Sequence, residues 1–132
     1  MNNEEIMTGV ELEIILKAGK ILLSSGAEIS RTEDTMNYIA RAMNFKDLEA
    51  YVSNRGIFAT AKKADGTEIT RIYNVPEVDI NLSKIESVNA LSRRITQKNI
   101  TIEEIESELN QIDTMSDYSR SEEHTSELQS QR

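Results

Sequence analysis

The chain has 132 residues, 38% hydrophobic and 29% charged, which fits one small domain with a modest core and excludes two ordinary domains or disorder throughout. Lys and Arg number 15 against 23 Asp and Glu, a formal net charge of -8 that repels nucleic-acid phosphates and anionic lipid surfaces. There is no cysteine, so disulfides, thiolate catalysis and cysteine-ligated zinc are excluded.

The start, Met1 to Glu5, is acidic and lacks the basic region and apolar core of a secretory signal. Residues 1–8 read as a flexible lead-in. From Gly9 to Ser25 the apolar residues Val10, Ile14, Ile15, Ala18, Ile21 and Leu22 recur at three- and four-residue steps, the spacing of one helical face. A bilayer-spanning helix needs about 20 mostly apolar residues. The richest run, Ile14 to Leu23, is interrupted by Lys17, Gly19 and Lys20, so a soluble body is expected. Gly26 supplies the left-handed conformation that ends a helix. Ser30-Arg31-Thr32-Glu33 then reads as a capping box opening a second helix, with Met36, Ile39, Ala40 and Met43 inward and a stop near Asn44.

Leu48, Ala50 and Val52 alternate with Glu49 and Tyr51, and a second run, Ile57 to Ala61, follows through Ser53-Asn54-Arg55-Gly56, the pattern of two strands and a turn. Asp65-Gly66 is the strongest local turn signal. A two-residue turn there pairs Lys63 with Glu68, Thr60 with Arg71 and Ala59 with Ile72. One face of the sheet then carries Ile57, Ala59, Ala61 and Ile72, and the other Phe58, Ile69 and Tyr73, which predicts helices on one side and partial cover on the other. Pro76 ends the sheet, and a third helix opens near Leu82 with Ile85, Val88, Leu91 and Ile95 inward, closing at Asn99. Thr101-Ile102-Glu103-Glu104 is a second capping box, for a short helix with Ile102, Ile105, Leu109 and Ile112 inward. The fold class is α+β: two helices, a three-stranded antiparallel meander, two helices, in one domain over residues 9–113.

Residues 114–132 read as a disordered tail. From Arg120 to Arg132 there is one Leu in a polar background, and the string resembles the translation of a common sequencing adapter, so it is expected to be non-native and to stand where further coding sequence belongs.

The most concentrated polar cluster is Ser25 to Asp34. Glu28, Arg31, Glu33 and Asp34, three carboxylates and an arginine, can hold a metal or do acid–base work. A structural reading competes: Ser30 and Glu33 cap a helix, Glu33 and Asp34 complement its positive end, and Arg31 pairs with a neighbouring acid. Arg71, in mid-strand, needs a carboxylate partner where it is covered; Glu28 or Glu33 is the expected one, with anion binding as the alternative. Glu28, Arg31, Glu33 and Arg71 therefore form a candidate ligand or structural cluster. The only histidine, His124, lies in the tail, so no nucleophile and base pair can be assembled in the folded part. Neither catalytic residues, metal ligands nor a cofactor are expected. Gly19 lacks the surroundings of a phosphate loop and reads as a close helix contact. Arg93, Arg94 and Lys98, flanked by Glu86, Glu103 and Glu104, read as a solvated face rather than a nucleic-acid site.

Through Ala18-Gly19-Lys20-Ile21-Leu22-Leu23, Ser25-Gly26-Ala27-Glu28, Arg31-Thr32-Glu33-Asp34-Thr35-Met36, Gly56-Ile57-Phe58, Thr70-Arg71-Ile72, Val75-Pro76 and the stretch from Asn81 to Arg94, the chain resembles the cytoplasmic N-terminal domain of the threonine/serine exporter family. The likeness runs from Leu12 to Ile112. Gly26, Ala27, Arg31, Glu33, Arg71 and Leu82 match the family's signature. The resemblance implies a bacterial inner-membrane exporter of threonine, serine or related small organic acids, with this domain on the cytoplasmic side and the transport path in membrane helices absent from this stretch. Its implied partners are that membrane domain and the small solute; further copies of the chain are an additional expected partner. A small-molecule-binding or hydrolase-like cytosolic domain is the alternative.

Overall fold

The structure, a computed structural model, describes residues 3–45, 47–62 and 66–116, with side chains from Gly9 onward. Helix α1 (Asn3–Ser24) and helix α2 (Ile29–Ala42) precede a meander of β1 (Leu48–Ser53), β2 (Gly56–Lys62) and β3 (Glu68–Asn74), and α3 (Leu82–Thr96) and α4 (Ile102–Asp113) follow. The α+β order is as the sequence predicts. Helix α1 starts earlier than Gly9, taking in residues 3–8.

The apolar content of α1 exceeds one face, because Leu12, Leu16 and Leu23 are buried along with Ile14, Ile15, Ala18, Ile21 and Leu22. A helix apolar on most sides must be surrounded, and α1 packs against α2, α3, α4, β2 and β3. Gly19 sets the closest of these approaches: a Cβ there would lie 2.5 Å from Met36 Sδ on α2 and 3.1 Å from Ile57 Cδ1 on β2. Val88, Leu91 and Ile95 of α3 and Ile105, Leu109 and Ile112 of α4 complete the core.

At the end of α1 the Ala27 N–H reaches the Leu22 carbonyl at 3.0 Å and the Gly26 N–H the Leu23 carbonyl at 3.2 Å. With Gly26 at φ +94°, this is a Schellman termination. It starts α2 sooner than the sequence predicts: Glu28 is the N-cap and makes no side-chain cap bond. Ser30 thus lies inside the helix, and the first capping box is absent. Glu33 and Asp34 fall beyond the first turn, which holds no acid. The second box is present, with the Glu104 N–H on Thr101 Oγ1 at 3.2 Å and the Thr101 N–H on Glu104 Oε1 at 3.0 Å. Asn81 caps α3 by accepting from the Lys84 N–H at 3.0 Å.

Strands β1 and β2 meet across the Asn54-Arg55 turn, with Ser53 opposite Gly56 and Tyr51 opposite Phe58. The register of β2 with β3 departs from the predicted one by one residue: Lys62 is opposite Glu68, Thr60 opposite Thr70, Ala59 opposite Arg71 and Phe58 opposite Ile72. The expected partner Lys63 and the turn residue Asp65 lie outside the described residues. A one-residue slip exchanges the faces of a strand. Ile69 and Tyr73 therefore join Ile57, Ala59 and Ala61 on the helix-facing side, while Ile72 is 66% exposed beside Phe58 on the other. The physical reason is that this register turns two apolar residues of β3 toward the core, where the predicted one turns in only Ile72. Among the described residues no helix covers the outer face.

Candidate functional site

The structure separates the four predicted site residues. Glu28 and Arg31 stand at the start of α2, on a groove of about 210 Å³ that is also lined by Gly26, Ala27, Ile85 and Asn89. The Schellman turn at Gly26 and the N-terminus of α2 put these residues together. Arg31 is exposed and has no salt-bridge partner among the described residues. A guanidinium beside the uncapped first turn of a helix is suited to an anion such as a carboxylate.

Glu33 is half-buried on another side of α2. Its Oε2 accepts from the Val52 N–H of β1 at 3.3 Å, so this carboxylate ties helix to strand instead of capping its own helix. Thr32, fully buried, donates its hydroxyl to the Glu28 carbonyl at 2.9 Å. Among the described residues no group of three His, Cys, Asp or Glu converges to hold a metal.

Arg71 meets neither Glu28 nor Glu33. Its Nε donates to Glu13 Oε1 of α1 at 3.1 Å and its Nη1 to the Thr70 carbonyl at 3.0 Å. The Tyr73 hydroxyl donates to Glu13 Oε2, and Lys20 Nζ stands 5.8 Å from the centre of the Tyr73 ring. Burial, then the hydrogen bond and charge of Glu13, push the Tyr73 hydroxyl up to about 12. Sequence reasoning missed Glu13, Lys20 and Tyr73. The available signal was spacing: Glu13 and Lys20 stand two helical turns apart on one face of α1, and Arg71 and Tyr73 share a face of β3. The correct register was needed to bring the two faces together.

The cationic stretch of α3 is partly neutralised, since Arg94 Nη1 bonds Glu108 Oε1 and Oε2 of α4 at 2.6 and 2.8 Å.

The family model described as "Putative threonine/serine exporter" (ThrE) matches residues 13–123, and the chain belongs to that family. No curated protein and no solved structure matches the chain. Among the described residues no helix is long and apolar enough to cross a membrane.

Proposed function

We propose that this chain is the cytoplasmic N-terminal domain of a bacterial inner-membrane exporter of small amino acids, threonine or serine, or of related small organic acids. The observation that carries the reading is the family match over residues 13–123 on a domain of four helices and a three-stranded antiparallel sheet. The longest helix, α1, includes Glu4, Glu5, Glu11, Glu13, Lys17 and Lys20, too many charges for a bilayer core. The solute path then belongs to membrane helices encoded beyond this stretch, and the domain serves their assembly or regulation.

Two experiments test it. Sequencing the gene from an independent isolate past the codon for Asp117 should yield several apolar segments of membrane-spanning length; a stop codon after Arg132 would sink the proposal. Thermal unfolding of the 132-residue chain with and without threonine, serine or a dicarboxylate separates regulation by solute from pure assembly. A ligand at about 100 times its dissociation constant stabilises by roughly 2.7 kcal/mol. A shift that is lost in Arg31→Ala would put the solute at the α1–α2 groove, while no shift with any solute favours assembly.

A further inference from the structure

The two edges of the sheet are finished differently. On the β1 side, the Lys62 N–H bonds the Asp47 carbonyl at 3.2 Å, which continues the β1–β2 ladder and leaves the backbone groups of Ala50 and Val52 pointing away from β2. That edge is covered: α2 packs along β1, and the Val52 N–H is taken by Glu33. On the β3 side, the Val75 N–H bonds the Arg55 carbonyl at 2.8 Å, so Ile69, Arg71 and Tyr73 face β2 and Thr70, Ile72 and Asn74 turn their backbone groups outward. Among the described residues nothing accepts from those outward N–H groups. The strand has no lysine, proline or bulge of the kind that blunts an open edge, and of its two charged residues Glu68 stands at its start while Arg71 is tied to Glu13 of α1.

The outer face bears on what pairs there. Tyr51, Phe58 and Ile72 lie in one row across the three strands, are 63%, 41% and 66% exposed, and end at the open edge with Ile72. We propose that β3 pairs antiparallel with β3 of a second copy of this chain about a two-fold axis at Ile72, giving a continuous six-stranded sheet. In this register Ile72 stands opposite Ile72 of the partner subunit, and the apolar row runs unbroken through both copies. Thr70 stands opposite the partner's Asn74. Arg71 stands opposite the partner's Tyr73, and because each Arg71 is bonded to Glu13 of its own copy, two neutral ion pairs face each other across the axis. Centring on Arg71 would oppose two guanidinium groups, and centring on Thr70 would set Glu68 against the partner's Ile72. Both are disfavoured by cross-strand charge and packing. The pairing does not depend on the exporter reading.

The test uses the 132-residue chain, which has no cysteine of its own. Sedimentation equilibrium should show its mass rising toward twice the monomer value with concentration, and Ile72→Lys should hold it at the monomer value with an unchanged circular dichroism spectrum. If that variant loses its fold, Ile72→Pro takes its place, because the lost N–H is an outward one. Cysteine pairs fix the register: Cα atoms in a hydrogen-bonded antiparallel pair lie about 5.5 Å apart, within disulfide reach. Under mild oxidation Ile72→Cys should give a covalent dimer several-fold faster than Tyr51→Cys, at the far end of the same row. A parent chain that stays monomeric at every concentration, or equal cross-linking at both positions, would overturn the proposal.

Discussion

Gly19 is the residue on which the closest helix approach rests. Alanine there gains about 1 kcal/mol in helix propensity. Its methyl would meet Met36 Sδ at 2.5 Å and Met36 Cγ at 3.0 Å, in a fully buried site, and overpacking of that kind costs typically about 1–3 kcal/mol. We expect the steric term to win, so Gly19→Ala should lower the denaturant midpoint. A rise would mean that Met36 moves aside freely. Tyr73 gives a second test at this scale. Because its hydroxyl is raised to about 12 from an ordinary value near 10, the native state holds that proton where the unfolded chain has lost it. Its contribution to stability is therefore complete below about pH 10 and falls away as pH rises toward 12. Ultraviolet titration of the folded chain should show a late tyrosine component that Tyr73→Phe removes; a late component unchanged in that variant would place the shift elsewhere. Arg71 shows what changes when a partner is found. Paired with Glu13 and with about half its side chain in solvent, it is an exposed ion pair, and Arg71→Ala should cost no more than about 1 kcal/mol.

At the level of elements, Glu33 and Ser30 separate two accounts of how α2 is fixed. A capping box makes both matter. The observed geometry leaves Ser30 exposed inside the helix and puts Glu33 on the Val52 N–H, so Glu33→Ala should cost about 1 kcal/mol through a part-buried donor left without its partner, while Ser30→Ala should stay within about 0.5 kcal/mol of the parent. Equal losses in urea titrations would restore the box. At α4 the box is real: the Thr101 backbone N–H holds the Glu104 carboxyl below its ordinary range, so its contribution is present at neutral pH and is lost as pH falls through that lowered value. Thr101→Ala should cost about 1 kcal/mol. Both boxes read alike in sequence, and the difference lies in what precedes them. The Schellman turn at Gly26 delivers the chain to a helical start at Glu28, two residues before Ser30. The sheet shows a similar limit, because strand positions follow from alternation, but the face of β3 depends on whether the loop after Lys62 has an odd or even count. That parity decided the partner of Arg71, and with it which candidate residues share a site.

At the scale of the whole molecule, the helix periods were legible because α3 and α4 each bury a single stripe, whereas α1 buries most of its circumference and so gave up only part of its core to a one-face reading. The family resemblance likewise located Gly26 and Arg31, which do share a groove, but signature residues distributed over the α1–α2 turn, α2, β3 and α3 need not converge, and Arg71 does not. The end of the fold is where sequence and packing can be compared most directly. Asn81, 8% exposed, joins three parts of the chain: its N–H bonds the Ser25 carbonyl at 3.0 Å, its Oδ1 caps α3, and its Nδ2 donates to the Met115 carbonyl at 3.1 Å. Met115 also packs partly buried against the core. The segment that leaves α4 is thus held by a buried amide that has no other acceptor for that Nδ2 among the described residues. Ending the chain after Asp113 removes the Met115 carbonyl and side chain together, and leaving a buried donor without a partner costs about 1–3 kcal/mol. Ending it after Ser119 spares both and removes only the polar string from Arg120 onward. Denaturant titration of the two truncations should therefore give a clear loss for the first and the parent midpoint for the second. A comparable loss in both would mean that residues 120–132 pack on the domain, and that they belong to the native protein.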